Sequence, residues 1–331
     1  MRIDEEGDNT LLYTTSYVAP GGQSAKAYPV FMVRKPILDE DLLAIKQGLD
    51  AVIGGRLRAA FPEGFNVDEK LRNVKFPTNG QTAFSEGSGT VIDIPENIQF
   101  LRSASYWKFG ESRNIWFDNG WIFMEESGKF AGSCDWCTTH NTDFASFSGD
   151  PTIAGSPTNE ACQLVDVRLN EVPGTVRYGL WSIRCYSDIP FSGAEDVLAL
   201  LHWGEEPQKG SVLDPRRNVI KAPLTSDREP IVHLVMVDFH ERKLIVVDQN
   251  FGGHVSGVSD MAGLVARRAT SFARKAKRMP SMFDLLSLVP GSIPAVLSDE
   301  GLDIQGKALV INKRNDQNQI EDVRLAEVVD L

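Results

Sequence analysis

The chain has 331 residues, of which 42% are hydrophobic and 24% charged, which is typical of a globular protein with enough apolar material for one large domain or two. The formal net charge of -11 argues against general nucleic-acid binding, because affinity for phosphates depends on Lys and Arg residues that release counterions. No run of about 18 apolar residues and no secretory leader pattern occurs, and the four cysteines are too few for a disulfide framework, so we expect a cytoplasmic protein with reduced thiols.

The first 85 residues are predicted to form an N-terminal arm and a helical extension. Residues 1–27 mix acidic residues with Gly, Ser and Thr, which predicts a loosely held arm. Apolar residues then recur at helical spacing from Leu42 to Val52, with acidic residues in the first turn, where the helix dipole favours them. We expect this helix to stop near Gly54 and Gly55. A second short helix is predicted over residues 56–61, before Pro62.

Residues 86–250 are predicted to form a β-sandwich domain. Strand-like patterns occur at residues 90–94, 114–124, 164–169, 176–186, 196–203, 231–239 and 244–247. Several of these segments are apolar on both faces and few helical segments separate them, which favours two antiparallel sheets packed face to face. Asn119 and Gly120, in the middle of the second segment, predict a bulge or a sharp bend. The predicted fold class is mainly β: a two-sheet antiparallel β-sandwich with a helical N-terminal and a mixed C-terminal extension.

Carboxylate and amide side chains are concentrated in the loops of the front half of this domain. The candidate ligands are Asp118, Asp135, Asn141, Asp143, Asp150 and Glu160. Calcium takes six to eight oxygen ligands of these kinds, so the pattern indicates a metal site that joins loops across one end of the sandwich. Asp118 and Asp150 are the strongest candidates. Asp, Asn and Gly are also ordinary turn residues, so the alternative of loops that only turn stays open.

The order of these motifs resembles the TerD-type domain of tellurium-resistance and stress-response proteins. The matching segments are Phe117-Asp118, Cys134-Asp135-Trp136, His140-Asn141, Ser148-Gly149-Asp150, Glu160 and residues 164–173. Together they cover roughly half of the chain. At two positions the chain departs from the family pattern, since Trp116 stands in place of an aspartate and Pro151 in place of an asparagine.

The resemblance implies a non-enzymatic, calcium-binding protein. Its expected role is a binding or scaffold component of a tellurite, chemical-stress or phage-defence response, with other stress-response or defence proteins as partners. A metal-dependent hydrolase that uses the carboxylate cluster is the enzymatic alternative, although the sequence has no nucleophile elbow, phosphate loop or His-Glu-x-x-His pair.

The spacing Cys134-x-x-Cys137-x-x-His140 has the residue types of a zinc site. If the segment from Cys134 to Thr138 is a strand, residues three apart point to opposite faces and cannot hold one ion. We therefore expect the cysteines to be structural and reduced.

Residues 251–331 are predicted to form a helix followed by a strand pair. Residues 249–253 have the composition of a linker, and apolar residues from Met261 to Met279 share one helical face. The same stretch has six basic residues and no acidic one: Arg267, Arg268, Arg274, Lys275, Lys277 and Arg278. The basic face of this helix either binds an anionic partner or is only solvated. If it binds a partner, the protein is expected to be an interaction adaptor. Residues 307–311 and 320–329 predict a terminal hairpin.

Overall fold

The computed structural model describes residues 10–15, 28–33, 39–60, 66–75, 87–108, 115–138, 142–150, 160–186, 189–206, 218–226, 230–251, 262–295, 306–311 and 323–328. Contacts between Cα atoms divide the chain into two units, residues 1–60 and residues 61–331. The predicted domain boundaries at residues 85 and 250 stay predictions.

The first unit contains a hairpin and one long helix. Strand β1 (Thr10–Thr15) pairs antiparallel with β2 (Tyr28–Val33), so a strand lies inside the segment that we expected to be a loose arm. Helix α1 (Asp39–Ala60) is continuous for 22 residues, and the predicted stop at Gly54 and Gly55 is wrong. A glycine inside a helix costs only about 1 kcal/mol, and good helix formers follow both glycines, so the helix continues.

The second unit consists of short strands with two helices near its C-terminal end. In chain order the strands are β3 (Asn66–Asp68), β4 (Val91–Asp93), β5 (Phe100–Lys108), β6 (Phe117–Met124), β7 (Phe130–Cys134), β8 (Ala145–Phe147), β9 (Glu160–Arg168), β10 (Tyr178–Cys185), β11 (Glu195–Gly204), β12 (Asn218–Pro223), β13 (Ile231–Asp238), β14 (Lys243–Gln249), β15 (Ile293–Ala295), β16 (Gly306–Ile311) and β17 (Val323–Val328). The helices are α2 (Ala262–Ala276) and α3 (Met282–Leu286), and 3-10 turns lie at Glu69–Asn73, Leu169–Glu171 and Phe191–Gly193.

Two antiparallel sheets form the body of this unit, which confirms the predicted β-sandwich. The six-stranded sheet has the order β4-β14-β13-β10-β6-β7, and the five-stranded sheet has the order β12-β11-β5-β9-β8. Between them lies a core rich in aromatic side chains, in which Trp107, Phe117, Trp121, Phe123 and Trp181 are fully buried. The alternating apolar residues of the strands produce this core because successive side chains point to opposite faces.

Two strand predictions need correction. Strand β5, which lies in the centre of the five-stranded sheet, was missed because its polar residues Arg102, Ser103 and Ser105 obscure the apolar alternation. The bulge expected at Asn119 and Gly120 is absent from the β6–β10 pairing, whose register is unbroken along the strand. The reason is that the Asn119 side chain is used between the sheets and the backbone there stays extended.

Helix α2 covers the outer face of the six-stranded sheet. Its small residues Ala266, Ala269 and Ala273 pack with Ile122 and Met124 of β6 in a second apolar cluster. The predicted amphipathic helix is therefore present, with its apolar face buried. Among the described residues, no helix is both long and apolar enough to cross a membrane.

A smaller mixed sheet joins early and late parts of the chain. Strand β3 lies between β15 and β16, parallel to both, and β17 pairs antiparallel with β16. The predicted terminal hairpin is thus confirmed as the β16–β17 pair. This sheet links residues 66–68 to the C-terminal segment.

A buried hydrogen-bond network ties the two sheets of the sandwich together at Asn119. The Asn119 Nδ2 group donates to the backbone oxygens of Ser103, at 3.0 Å, and of Gln163, at 3.2 Å. The Asn119 Oδ1 atom accepts from Nε1 of Trp181, at 2.7 Å. Trp121 Nε1 donates to the Ser103 hydroxyl, at 2.8 Å. Asn119 belongs to one sheet and both Ser103 and Gln163 to the other, so one amide fixes how the sheets meet.

We expect Asn119→Ala to destabilise the protein strongly. The substitution leaves the Trp181 indole N–H buried without its partner, which costs about 1–3 kcal/mol, and it removes the side-chain hydrogen bonds to the backbone of the facing sheet. Thermal unfolding should show a Tm lower by several degrees. Asn97→Ala is the matched control, because the Asn97 amide bonds only to Glu205 at the surface. Equal effects of the two substitutions would contradict a structural role for the network.

Candidate functional site

A pocket opens beside the end of the six-stranded sheet where β6 begins and β10 ends. Its volume is about 230 Å³ and it is lined by Trp116, Asp118, Trp136, Asp150 and Tyr186. Pairing of Phe117 with Cys185 brings the chain segments on either side of these residues together. The pocket therefore combines two carboxylates with three aromatic rings.

Asp118 is the buried carboxylate of the pocket. Its side chain is 3% exposed, and its Oδ2 atom has no hydrogen-bond partner among the described residues. Burial raises the pKa of Asp118 to about 7. The hydrogen bond from Gln163 and the charge of Arg184 lower this pKa, whereas Asp150 and Asp135 raise it. A carboxylate that is out of water and beside two others ionises reluctantly.

Gln163 connects Asp118 to Asp150. Strand β7 pairs with β6 only from Trp121 to Met124, so the backbone N–H of Asn119 lies beyond that pairing and donates to Gln163 Oε1, at 2.8 Å. This bond turns the Gln163 Nε2 group toward the carboxylates. It donates to Asp150 Oδ1, at 3.0 Å, and lies 3.4 Å from Asp118 Oδ1.

Asp150 is held by a short loop that is attached to β9. The Ser148 N–H donates to the carbonyl oxygen of Leu164, and the Leu164 N–H donates to the Ser148 hydroxyl, both at 2.9 Å. Gly149 has φ +110, a conformation that favours glycine. The Asp150 side chain is exposed, so it forms the solvent side of the pocket while Asp118 forms the buried side.

Asp135 organises the turn that carries Trp136. Its Oδ1 atom accepts from the backbone N–H groups of Cys137, at 3.1 Å, and Thr138, at 2.9 Å, and from the Thr138 hydroxyl, at 2.6 Å. An aspartate that bonds the backbone two and three residues later fixes a tight turn. The contribution of Asp135 to the pocket is thus the placement of Trp136 and a nearby negative charge.

The aromatic walls are fixed by backbone pairing and by ring contact. The Tyr186 N–H donates to the Trp116 carbonyl oxygen, at 2.8 Å, which places these two residues side by side. The rings of Trp136 and Tyr186 are 5.9 Å apart and meet at 86°. Tyr186 is 52% exposed, so its ring lies on the solvent side of the pocket.

The other candidate ligands lie away from this pocket. The Asp143 side chain is exposed, and its backbone oxygen accepts from Arg168. Glu160 forms a hydrogen bond with Tyr106. It lies three residues before Gln163 in β9, so the two side chains are on opposite faces of that strand. Asn141 falls outside the described residues, as does His140 of the Cys-x-x-Cys-x-x-His motif.

The described residues do not form a calcium cage. No group of three or more His, Cys, Asp or Glu residues in the described ranges is arranged to hold a metal ion. Calcium takes six to eight oxygen ligands, whereas the pocket offers the carboxylates of Asp118 and Asp150 beside an amide that presents its nitrogen. Calcium binding stays a prediction.

The cysteines occupy different environments. Cys134 is buried in the sandwich core and Cys137 is exposed, and no disulfide joins the four cysteines in the described structure. That they are structural and reduced stays a prediction. Burial raises the pKa of Cys134 to about 12. Strand β7 ends at Cys134 and a turn follows, so the segment from Cys134 to Thr138 is not the strand on which the argument against a zinc site was conditional.

The sequence interpretation did not identify Gln163 or the aromatic walls. One signal was available for Trp116, because it lies two residues before Asp118 and residues at that spacing share a face of a strand. Another was the polar Gln163 between apolar residues of β9. Trp136 and Tyr186 are brought together by tertiary contacts, for which the sequence has no local signal.

Among the solved structures that this chain matches are two of low sequence identity. No family model matches the chain, and no curated protein matches it. The crystal structure of a protein of unknown function, SAV2460, is 10% identical with a TM-score of 0.36, and the match covers 52% of this chain and 98% of that one. A homologue of the telluride resistance protein (TerD), SCO6318 from Streptomyces coelicolor A3(2), is 6% identical with a TM-score of 0.35, and the match covers 51% of this chain and 98% of that one. At these identities and TM-scores the matches carry no conclusion about function.

The titration of Asp118 should be visible in the stability of the protein. Its pKa in the folded state is about 7, above the usual 3.8, so the folded state holds the proton more tightly and stability falls as pH rises from about 4 to about 7. In a metal-free buffer, Asp118→Asn should therefore be more stable than the wild type at pH 8, and this advantage should shrink by roughly 2–3 kcal/mol at pH 5.

Chemical denaturation at the two pH values measures this difference. Asp143→Asn is the control, because the Asp143 side chain is exposed and its loss should change stability equally little at both pH values. A stability difference between Asp118→Asn and the wild type that does not depend on pH would contradict a raised pKa.

Proposed function

We propose that this chain is a non-enzymatic binding protein whose sandwich holds a cation in the pocket of Asp118 and Asp150. The observation that supports the proposal is the Asp118 Oδ2 atom, which is buried, lines a pocket and has no hydrogen-bond partner among the described residues. A buried carboxylate is stable in its charged form only with a counter-charge or enough hydrogen bonds. A bound cation supplies the counter-charge.

The charges around the pocket favour a cation over an anion. Asp150 stands on the solvent side, and Asp135 is close enough to raise the pKa of Asp118. Arg184 lies opposite Asp118 across the β6–β10 pairing and offsets part of this negative charge. Three carboxylates against one guanidinium leave the pocket negative when Asp118 is ionised.

The biological setting that we propose follows from the order of sequence motifs. A protein that resembles TerD-type domains is expected in the cytoplasm, as a binding or scaffold component of a tellurite, chemical-stress or phage-defence response. Calcium is the cation that the same resemblance implies, and it is one of the ions to be tested.

The enzymatic alternative, a metal-dependent hydrolase that uses the carboxylate cluster, has weaker support, and so does an enzyme built on a Ser-His pair. Ser182 and His233 form a nucleophile-and-base pair, with 2.6 Å between the Ser182 hydroxyl and Nδ1 of His233. Both side chains are 0% exposed, and burial lowers the pKa of His233 to about 3. A buried, neutral pair of this kind is part of the contact between β10 and β13. Because neither side chain is exposed, a substrate cannot reach the pair in this conformation.

A second candidate function is an adaptor that acts through the basic face of α2. All six basic residues of the segment 267–278 are exposed. Arg268 and Arg274 donate to the backbone oxygens of Phe251 and Glu126, so part of the basic face also anchors the helix. Arg267, Lys275 and Lys277 are the residues with which to test an anionic partner.

Replacing Arg267, Lys275 and Lys277 together with Gln should reduce binding to an anionic surface. Elution from immobilised heparin is expected at lower salt, because each lost charge reduces the number of counterions released. Lys221 is exposed on β12 of the five-stranded sheet, whereas α2 packs on the six-stranded sheet, which makes Lys221→Gln the control for a lost surface charge. Elution at the wild-type salt concentration would mean that the basic face of α2 is only solvated and binds no anionic surface.

A panel of cations tests the main proposal. Thermal unfolding of the full chain is compared in the chloride salts of sodium, potassium, magnesium, calcium and tetramethylammonium at equal ionic strength. At a hundredfold excess over Kd, a ligand that binds only the folded state adds about 2.7 kcal/mol, or roughly 5–10 °C in Tm at 2–4 °C per kcal/mol. At least one cation should raise Tm by several degrees over sodium.

The rise should depend on Asp118 and not on carboxylates elsewhere. Asp118→Asn should abolish most of the effect, whereas Asp143→Asn should keep it, because Asp143 is exposed and does not line the pocket. If no cation of the panel raises Tm above sodium, the pocket is not a cation site.

A further inference from the structure

The walls of the pocket are mainly aromatic. Trp116, Trp136 and Tyr186 line it together with the two carboxylates, and the perpendicular contact of Trp136 with Tyr186 makes two sides of a cage. Aromatic faces carry a partial negative charge and attract cations within about 6 Å of the ring centroid. A ring cannot donate a lone pair to a small metal ion as a carboxylate does, so it replaces the hydration shell of such an ion poorly.

The polar contacts of the pocket point in the same direction. Gln163 presents its Nε2 group to Asp118 and Asp150, and its Oε1 atom is bonded to the Asn119 backbone N–H. The amide oxygen that could have joined a metal shell is therefore turned away. Among the described residues, what remains is negative charge without a ring of oxygen donors.

The size of the pocket limits the ligand to a head group. Pockets for drug-sized molecules have volumes of about 300–1,000 Å³, and this pocket has about 230 Å³. It has room for several water molecules, each of which occupies about 30 Å³ in the liquid. A compact cation with a few carbon atoms is the matching size.

We propose that the cation held in this pocket is an alkylated ammonium group, with its charge beside Asp118 and Asp150 and its alkyl groups against the rings. The inference rests on the proposed cation-binding function and names its ligand class. An alkylated ammonium spreads its charge over carbon atoms and has few hydrogen bonds to lose, so aromatic walls with one buried carboxylate are sufficient for it.

Two sources present this head group, a free quaternary ammonium compound and a methylated lysine side chain. The exposed position of Tyr186 and Asp150 leaves the solvent side of the pocket accessible to both. Choline tests the first source. A short peptide with one trimethylated lysine, compared with the same peptide unmodified, tests the second.

The experiment is a titration of the full chain with tetramethylammonium chloride, followed by tryptophan fluorescence and by Tm, against sodium chloride at the same ionic strength. Calcium chloride and ammonium chloride are titrated in parallel. We expect tetramethylammonium to bind more tightly than ammonium, and calcium to have the smaller effect on Tm. Choline or the trimethylated peptide should compete with tetramethylammonium, and whichever competes at lower concentration identifies the source.

The aromatic contribution is tested by removing one ring at a time. Trp136→Ala should weaken tetramethylammonium binding about tenfold or more, a loss that corresponds to about 1.4 kcal/mol. Tyr186→Ala is the second variant, because Tyr186 is exposed and its loss should not prevent folding. Phe130→Ala is the matched control, since Phe130 is 40% exposed, does not line the pocket, and should leave binding unchanged.

The outcomes separate this inference from the proposed function. If calcium raises Tm through Asp118 and tetramethylammonium does no more than sodium, the pocket is a cation site and the alkylammonium inference is wrong. If tetramethylammonium binds but its affinity is unchanged in Trp136→Ala and in Tyr186→Ala, the rings do not hold the cation and the alkylammonium inference is wrong. If no cation of the panel, tetramethylammonium included, has an effect that Asp118→Asn removes, both proposals fail.

Discussion

The sandwich depends on one buried amide, because Asn119 joins its two sheets. A lone amide between sheets would be costly, since each unpaired buried donor or acceptor destabilises the folded state. Here its donors reach the backbone oxygens of Ser103 and Gln163, and its oxygen accepts from Trp181. Apolar attraction is not directional, whereas hydrogen bonds are, so this network favours one relative position of the two sheets. The same residue also contributes its backbone N–H to Gln163, so the constraint continues directly into the pocket.

The pocket follows from that constraint in a few steps. Because β7 stops short, the Asn119 N–H is left for the Gln163 side chain, and the Gln163 amide then faces Asp118 and Asp150 with its nitrogen. The turn fixed by Asp135 places Trp136 against Tyr186. A buried carboxylate thus lies beside aromatic rings, one amide and the guanidinium of Arg184, and burial raises its pKa to about 7. The hydrogen-bonded backbone at Asn119 and the buried carboxylate of Asp118 are thus adjacent in the chain. Buried groups with a shifted pKa are common in binding sites.

Sequence patterns predicted the layers of the fold better than the details of the site. The alternation of apolar residues in segments such as Ile231–Asp238 was sufficient to predict two packed sheets. Strand β5 was missed because Ser103 and Ser105 face the other sheet as hydrogen-bonding groups, and no local pattern distinguishes them from loop serines. Asp118 and Asp150 were singled out by their residue type and their place in the chain. The role of Gln163 depends on where β7 ends, which is decided by pairing between strands and not by local composition.

The central claim is that Asp118 is a buried carboxylate whose negative charge is stabilised by a bound cation. The most direct measurement is a carbon-13 NMR titration of the Asp118 carboxyl group, in the full chain, with and without tetramethylammonium chloride at matched ionic strength. The account predicts a pKa near 7 in sodium chloride alone and a clearly lower pKa with the organic cation, because the bound cation stabilises the charged form. An Asp118 pKa close to 4 in sodium chloride, or a raised pKa that the organic cation does not change, would contradict it.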